Sequence, residues 1–175
     1  MRANSQEELI DRLASIQEIQ QLAYRYAFAV DSGDRELFES LWIETDHARG
    51  GTFVDVHAAR GWIGPNLEKP HRSSVLFVGN HLIDFDGADD AHGTVYTLVQ
   101  IEIDGEFLDQ TVIYEDRYGR IDGRWLFRDR NHLLWYGSER SPNPLRQPPA
   151  NWPERQVGAG IASQRIRRGG AGTAA

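Results

Sequence analysis

The sequence predicts an α+β fold, in which N-terminal helices close one side of a curved antiparallel sheet. The first third of the chain, to about residue 44, carries apolar residues at helical spacing. From residue 52 onward, short β-prone runs alternate with turn signals. Two of the turns contain Asp-Gly pairs, Asp104-Gly105 and Asp122-Gly123, which are typical of tight hairpins. Helices followed by hairpin-connected strands indicate an α+β domain.

The first helix begins after Ser5, which forms the pattern of a capping box with Glu8. Apolar residues at steps of three and four then predict one buried stripe. The stripe consists of Leu13, Ile16, Ile19, Ala23, Ala27 and Val30. Asp31 follows it directly, where a carboxylate against apolar surface needs a partner or a chemical role; a plain turn-forming role is the alternative. Gly33 allows a turn, and Asp34 can cap a second helix.

Four long strands are predicted after the helices. They are rich in β-branched and aromatic residues, and turn residues bound each of them. Their ranges are Ser74 to Phe85, Gly93 to Ile103, Phe107 to Tyr118 and Arg124 to Tyr136. The run Thr52 to His57 is a further candidate strand, and Gly61 to Pro70 is predicted as a turn that leads into a loop or a short helix.

Composition and charge restrict the class of protein. A chain of 175 residues with 40% hydrophobic and 26% charged residues fits one globular domain. The net charge of −7 argues against nucleic acid as a partner. No apolar run approaches the roughly 20 residues of a membrane helix. The N-terminus lacks the apolar core of a secretory signal, so the predicted location is the cytoplasm.

Metal and cofactor motifs are not found in the sequence. The acidic group Asp84, Asp86, Asp89 and Asp90 lacks the spacing and terminal glutamate of a calcium loop, and it is interpreted as a solvated turn. Arg49-Gly50-Gly51 is followed by no lysine or serine/threonine in phosphate-loop register. The chain has no cysteine, which excludes thiolate ligands and disulfides. We therefore predict no metal and no cofactor.

The C-terminal part differs in composition from the rest. Residues 1–140 are predicted to form the single domain, and residues 141–175 a flap followed by a flexible tail. Ser141 to Pro153 is rich in proline, which stiffens a segment at low entropic cost. We expect Trp152 to hold this flap against the domain, because a large indole rarely stays exposed. Residues beyond about Ile161 should be dispensable.

Four motifs resemble the SnoaL-like, scytalone-dehydratase-like branch of the nuclear transport factor two superfamily. They are the helix end Tyr26-x-x-x-x-Asp31-x-Gly33-Asp34, the strand exit Gly79-Asn80-His81 to Gly87, the run Tyr114 to Trp125, and the closing Arg130 to Trp135. Their order and spacing carry the resemblance, which extends over about Ser5 to Tyr136.

This resemblance implies a cone, a strongly curved antiparallel sheet wrapped around N-terminal helices with an internal pocket at its wide end. Members of the superfamily include dehydratases, dehydrochlorinases, isomerases of the ketosteroid type, polyketide cyclases and epoxide hydrolases. Others have no catalytic activity, such as the β subunits of ring-hydroxylating dioxygenases, so the fold does not decide the function. Oligomers are common in the family, often through the outer face of the sheet, which predicts a homodimer or a homotrimer.

The resemblance also implies site residues. In dehydratase-like members an aspartate orients a histidine that abstracts a proton from carbon, assisted by a tyrosine and an arginine. Asp31 matches the aspartate, Tyr26 the tyrosine and Arg130 the arginine of the last strand. The family histidine stands four residues before the position of Asn80, and this chain has Leu76 there. The usual Asp–His pair is therefore incomplete.

Strand alternation selects candidates for the missing histidine. Residues two apart on a strand share a face, so an inward Arg130 beside Asp31 predicts that Arg128 and His132 point inward too. Asn80 and His81 face opposite sides, so at most one of them lines the pocket. His132 and His81 are therefore the candidate bases.

The tyrosines leave a further alternative open. Five residues of a continuous helix span about 140°, so Tyr26 and Asp31 share a face only if the helix ends early. Otherwise Tyr24, seven residues before Asp31, supplies the nearest hydroxyl. The predicted substrate-binding residues are Tyr24, Leu76, Asn80, His81 and Tyr96.

Two functions are predicted on this basis. The first is a cofactor-independent lyase or isomerase for a small hydrophobic, cyclic molecule. In it Asp31, alone or through a histidine, moves a proton while a tyrosine polarises the substrate and Arg130 holds negative charge. The alternative is a non-catalytic pocket or assembly module, such as a dioxygenase β subunit or a ligand carrier. The leucine at position 76 favours the module, and the retained Asp31, Tyr26 and Arg130 favour the enzyme.

Overall fold

The computed structural model describes residues 5–43, 73–103 and 105–146. Two helices come first, α1 (Gln6–Ser32) and α2 (Arg35–Ser40). Four strands follow, namely β1 (Ser73–Phe85), β2 (Asp90–Ile103), β3 (Glu106–Ile121) and β4 (Arg124–Glu139). A short 3-10 helix, Pro144–Arg146, ends the described part of the chain.

The four strands form one antiparallel sheet in the order β1-β2-β3-β4. Each strand therefore pairs with its neighbour in sequence. α1 contacts both β1 and β4, the first and last strands of the described sheet, which requires the sheet to curve around the helix. The predicted α+β class, with a curved antiparallel sheet and N-terminal helices, is confirmed.

α1 begins and ends at the predicted residues. The Ser5 hydroxyl accepts from the Glu8 amide at 3.2 Å, and the Glu8 carboxylate accepts from the Ser5 amide at 2.8 Å. Gly33 ends the helix in the left-handed conformation, with φ of 70°. Leu13 was wrongly assigned to the buried stripe, because its side chain is 67% exposed. The stripe instead starts at Ser15, which keeps the helical spacing to Ile19 and Leu22.

The hairpin turns follow the sequence signals. Ile103 pairs with Glu106 across the β2–β3 turn, where Gly105 has φ of 95°. Asp122 and Gly123 have φ of 51° and 75°, and two consecutive left-handed residues are what a tight turn of the matching twist needs. The observed strands are longer than predicted at most ends, because hairpin pairing continues past the residues with strong β propensity.

An aromatic core lies between the helices and the sheet. Tyr26 from α1 meets Phe38 from α2 and Phe127 from β4, with ring centroids 5.6 and 5.9 Å away. The chain after α2 then runs beside β4, because the Ile43 amide donates to the Phe127 carbonyl at 3.0 Å and the Phe127 amide donates to the Leu41 carbonyl at 2.9 Å. These contacts fix α1 and α2 against the same end of the sheet.

The first residues of the predicted flap lie against the β2–β3 hairpin. The Asn143 amide donates to the Gly105 carbonyl at 2.9 Å, and Arg146 pairs with Glu102 at 3.0 Å. The predictions for Thr52 to His57, for Gly61 to Pro70, for Trp152 and for the tail lie outside the described residues. The division of the chain at residue 140 stays a prediction.

Candidate active site

The inner face of the sheet, which faces α1, carries most of the polar residues of the candidate site. On β3, Tyr114, Asp116 and Tyr118 are at most 3% exposed and alternate with residues of the outer face. On β4, Arg130 and His132 face the same side and are nearly buried. The register places Asp116 opposite Arg130 and Tyr114 opposite His132. Polar and aromatic groups therefore share one buried surface.

Arg130 and Asp116 form a buried ion pair in this surface. The guanidinium donates from Nε at 2.7 Å and from Nη2 at 2.6 Å to the two carboxylate oxygens. The rings of Tyr26, Tyr114 and Phe127 lie 4.3 to 4.4 Å from the guanidinium carbon. Burial alone would lower the pKa of Arg130, but Asp116 outweighs it and raises this pKa, so the arginine stays charged. We call these five residues the arginine cluster.

A hydrogen-bond chain leads from the arginine cluster to His81. The Tyr118 hydroxyl donates to Asp116 Oδ2 at 2.6 Å, and His81 Nε2 lies 2.9 Å from the Tyr118 oxygen. Burial raises the pKa of the Tyr118 phenol well above its usual value, and Asp116 raises it further. Burial lowers the pKa of His81 to about 4. At neutral pH the phenol is therefore protonated and the imidazole is uncharged.

Gly93 on β2 leaves the space that the Tyr118–His81 hydrogen-bond chain occupies. A Cβ at this position would lie 2.6 Å from the Leu82 carbonyl oxygen, 3.2 Å from a ring carbon of Tyr118 and 3.4 Å from His81 Nε2. The first of these contacts is with backbone, which cannot move away as a side chain can. Glycine is therefore required where β1 and the Tyr118 ring approach β2.

Asp31 extends from the end of α1 to the sheet. Its Oδ2 accepts from the Leu76 amide at 3.0 Å, and the side chain is partly buried. This contact reaches a strand 45 residues further along the chain, which a purely local turn former would not make. Leu76, one of the predicted lining residues, is 8% exposed and belongs to the core. The carboxylate thus contacts the backbone of the position where the resemblance predicted a histidine.

His132 lies on the inner face, as the alternation from Arg130 predicted. It is 9% exposed, and its ring stands edge-on to Tyr114 with centroids 5.5 Å apart. It belongs to β4, whereas Asp31 contacts β1 at the other side of the described sheet. A proton relay between the two stays a prediction.

A β-bulge in β1 determines which of Asn80 and His81 faces the interior. The β1–β2 register shifts between Val78 and His81, so the inward alternation moves by one residue. His81 is half-buried and faces the core side, while Asn80 is exposed on the bulge. His81 is thus the one of the two that faces the interior, in keeping with the prediction that at most one does, and the assignment of Asn80 to substrate binding stays a prediction.

Two of the predicted substrate-binding tyrosines, Tyr24 and Tyr96, lie away from the interior. Tyr24 is 43% exposed on α1, whereas Tyr26 is completely buried in the arginine cluster. Tyr96 lies on the outer face, because it alternates with the buried Val95, and it contacts Trp135 edge-on at 5.9 Å. Neither Tyr24 nor Tyr96 faces the interior, and their assignment to substrate binding stays a prediction.

The predicted partners of Arg130 need correction as well. Both of its side-chain hydrogen bonds go to Asp116, and the expected neighbour Asp31 makes no ion pair with it. Arg128 does not share the inner face, because the β3–β4 register shifts beside it. It instead forms a surface ion pair with Asp90 at 3.0 Å.

Sequence reasoning missed Asp116 and Tyr118. A usable signal was present, because residues 112, 114, 116 and 118 share one face of a strand and three of them are Val or Tyr. One carboxylate within such an apolar row needs a cationic partner, and Arg130 on the adjoining strand of the hairpin was the available one. The register of the turn at Asp122-Gly123 would by itself place Asp116 opposite Asp129, and the bulge at Arg128 moves it opposite Arg130.

Some features are absent from the part of the chain that the structure describes. In residues 5–43, 73–103 and 105–146, no three acidic or histidine side chains come together as metal ligands would. Within the same ranges, neither helix is long and apolar enough to cross a membrane.

Comparison with known proteins gives a consistent result. The model of the SnoaL-like domain family matches residues 11–131. No curated protein matches the sequence. A hexachlorocyclohexane dehydrochlorinase (LinA, type 2) is 22% identical, with a TM-score of 0.61 over 77% of this chain and 94% of that chain.

Two further solved structures come from Novosphingobium aromaticivorans. A protein assigned provisionally as a scytalone dehydratase is 19% identical, with a TM-score of 0.62 over 81% of this chain and 99% of that one. A protein assigned provisionally as an aromatic ring hydroxylase is 17% identical, with a TM-score of 0.57 over 75% and 94%. At these identities the likeness concerns the fold.

Proposed function

The chain belongs to the SnoaL-like domain family, and on that premise we propose that it is a cofactor-independent lyase or isomerase of dehydratase or cyclase type. Its substrate is a small hydrophobic, cyclic molecule that enters the concave side of the sheet. The similar structures named as a dehydrochlorinase and, provisionally, as a scytalone dehydratase support the lyase class.

The placement of Asp31 carries the proposal. A partly buried carboxylate at the end of α1 is aimed at the sheet and oriented by one amide, that of Leu76. A helix end held against a concave sheet by this contact is well suited to taking a proton from a bound molecule.

The reaction needs one base and one proton donor. Asp31 removes a proton from a carbon next to the leaving group or the carbonyl. The electrons of that C–H bond form the new double bond, and the leaving group departs with its own electron pair or the carbonyl becomes an enol. His132, nearly buried on the same face, is the second proton-transfer group in this proposal.

Arg130 and Tyr26 have a different role in this scheme from the one their match to the family implies. Both side chains are buried in the arginine cluster, where Arg130 is paired with Asp116 and packed against the Tyr26 ring. We assign them as positioning residues that hold α1 and β4 in place. Their effect on turnover is therefore indirect.

The test is a search for turnover without added cofactor. The purified chain, with a chelator present, is incubated with a panel of hydroxylated and chlorinated alicyclic ketones and alcohols. We expect loss of water or chloride, or a double-bond shift, for members of one class. Binding of panel members without turnover of any of them would contradict the enzyme.

The alternative is a non-catalytic binding or assembly module, and one observation favours it. Aromatic side chains fill much of the interior around the guanidinium, which leaves less room for a substrate at that end of the sheet. The similar structure named provisionally as an aromatic ring hydroxylase is compatible with this function. The module predicts ligand binding and no chemical change in the same panel.

We further propose that the chain forms a homodimer or homotrimer through the outer face of the sheet. Phe77, Leu98, Trp135 and Tyr136 project from that face and are between 56% and 63% exposed. A contiguous exposed apolar patch is typical of an interface. Phe77→Glu should shift the molar mass measured by light scattering to that of a monomer, and an unchanged mass would contradict this surface. A cytoplasmic location stays a prediction.

A further inference from the structure

We propose that His81 Nδ1 and the Thr97 hydroxyl form a pair of hydrogen-bonding groups that binds a hydroxyl group of the ligand. The inference rests on the proposed function only in placing the ligand on the inner face of the sheet. It adds a substrate class, namely hydroxylated rather than only halogenated rings, and two residues that determine specificity.

The hydrogen-bond chain fixes the proton positions on His81. Asp116 binds two guanidinium donors and is ionised, so it can only accept, and the Tyr118 proton must lie on the 2.6 Å bond to Asp116. The Tyr118 oxygen then accepts from His81, which requires the proton on Nε2. The neutral imidazole therefore carries its lone pair on Nδ1.

Nδ1 is a buried acceptor without a donor. Among the residues that the structure describes, no hydrogen-bond donor reaches it, although the atom is covered from solvent. A buried acceptor left unsatisfied costs about 1–3 kcal/mol. Such groups are rare in native proteins and need a specific reason. The chain from Arg130 holds the imidazole rigidly in this unfavourable state.

Thr97 is a second, independent group of the same kind. Its side chain is 2% exposed, and within residues 5–43, 73–103 and 105–146 its hydroxyl has no hydrogen-bond partner. On β2 it lies two residues from Val95, the register partner of His81, so the two side chains are diagonal neighbours on one face. The same inner face therefore carries one pure acceptor and one group that can donate.

The chemistry of the pair selects the ligand group. Only a ligand hydrogen-bond donor satisfies Nδ1, and a ligand acceptor satisfies the threonine proton. A hydroxyl is both donor and acceptor, whereas a chlorine atom or a carbonyl oxygen cannot donate. Because both atoms are covered, ligand entry requires a shift of an inner-face side chain, and Val78 and Ile83 on β1 are only partly buried. The site therefore distinguishes a ring alcohol from a ring of equal shape without the hydroxyl.

The proton assignment is tested first, without any ligand. Long-range nitrogen–proton NMR on the full chain at pH 7 should show His81 as the neutral tautomer with the proton on Nε2. Tyr118→Phe removes the acceptor of that proton and should convert the ring to a mixture of tautomers. A wild-type ring protonated on Nδ1, or an unchanged spectrum in Tyr118→Phe, would overturn the proposal.

Ligand binding is tested with two probes of equal shape, 2-naphthol and 2-methylnaphthalene. The wild type should bind 2-naphthol about tenfold more tightly, the scale of one good hydrogen bond. Thr97→Val and His81→Gln should each reduce this preference about threefold or more. Thr111→Val, a half-buried threonine of the outer face, should leave it unchanged.

Protein stability separates this site from a structural role. Thr97→Val keeps the volume and removes an unsatisfied hydroxyl, so its melting temperature should equal or exceed that of the wild type while 2-naphthol binding weakens. Equal binding of both probes by the wild type, or an unchanged preference in Thr97→Val, would overturn the proposal. These readouts need no turnover, so they stand apart from a failure of the proposed enzyme activity.

Discussion

The arginine cluster and Asp31 present two contrasting ways of placing charge inside one small domain. In the cluster, guanidinium and carboxylate are at most 1% exposed and satisfy each other with two short hydrogen bonds under three aromatic rings. Asp31 is only partly buried and accepts one amide hydrogen bond from a neighbouring strand. The first arrangement pairs two charges within one cluster, and the second connects α1 to β1 through a carboxylate–amide contact.

This difference teaches that burial alone does not identify a catalytic residue. The three family matches Asp31, Tyr26 and Arg130 do not have the same environment, because Tyr26 and Arg130 are buried in the arginine cluster whereas Asp31 is partly buried at the end of α1. A sealed and fully paired charge holds the structure together, since moving it would expose its partner. Substitutions in the two environments should therefore differ in their effects on stability and on turnover.

Breaking the arginine cluster should have the largest effect on stability. Asp116→Asn leaves the Arg130 guanidinium buried without its charge partner, which should lower the free energy of unfolding by about 3–5 kcal/mol. Urea denaturation monitored by tryptophan fluorescence measures this change. The double variant with Arg130→Met should recover much of the loss, because no buried charge remains.

A surface pair supplies the matched control. Asp90→Asn breaks the ion pair with Arg128, which is 3.0 Å long but partly exposed, and should change the same free energy by less than about 1 kcal/mol. Similar losses in Asp116→Asn and Asp90→Asn would mean that the cluster is not the structural centre described above.

Adding a methyl group at Gly93, beside the hydrogen-bond chain, should have an intermediate effect on stability. Gly93→Ala places a methyl group 2.6 Å from the Leu82 carbonyl oxygen, and overpacking of this kind costs about 1–3 kcal/mol. Differential scanning calorimetry should show a lower melting temperature. Gly87→Ala, where no heavy atom lies within 4 Å of the new Cβ, should leave it nearly unchanged. An equal response of both variants would contradict the tight approach of β1 to β2.

The buried state of His81 should make stability depend on pH. Burial lowers its pKa from 6.5 to about 4, so the unfolded chain takes up the proton first as the pH falls. This contribution is complete above pH 6.5, and stability should decrease between pH 6.5 and 4. The fall measured by urea denaturation should be shallower in His81→Gln. Parallel curves for both proteins would show that His81 does not titrate in this way.

The smallest effect is expected for the hydroxyl of Tyr26. Tyr26→Phe keeps the ring that covers Arg130 and removes only a buried phenolic oxygen. Turnover should stay within about threefold of the wild type, or roughly 0.7 kcal/mol in the barrier. Steady-state kinetics on the panel substrate measures it. A hundredfold fall in turnover would indicate that the Tyr26 hydroxyl takes part in the reaction.

Much of the fold was predictable because its signals are local. The capping residues Ser5 and Glu8, and the turn residues Asp122 and Gly123, act through their immediate neighbours in sequence, and each performs its predicted role. Leu13 was misplaced because the apolar spacing alone did not distinguish its face from that of Ser15. Local sequence signals predicted the ends of the elements more accurately than they predicted the buried face of α1.

The site was less predictable because bulges and pairing are long-range features. One extra residue in β1 turns His81 inward and Asn80 outward, and another beside Arg128 turns that residue away from the interior. Gly79 within the strand pattern was a signal for the first bulge, whereas no glycine stands at the second. The partner of Arg130 likewise depends on the β3–β4 register, which brings Asp116 opposite to it. The family resemblance identified Asp31, whereas the strand register determines which residues of β3 and β4 lie together on the inner face.

The most direct test of the central claim is to measure both kcat/KM and the free energy of unfolding of Asp31→Asn. The amide oxygen can still accept from the Leu76 amide, so the free energy of unfolding should stay within about 1 kcal/mol of the wild type. Loss of the base should lower kcat/KM by about 100-fold or more. The exposed Asp84→Asn should change neither quantity. Full activity in Asp31→Asn, or a loss of activity that only follows a loss of stability, would contradict Asp31 as the group that moves the proton.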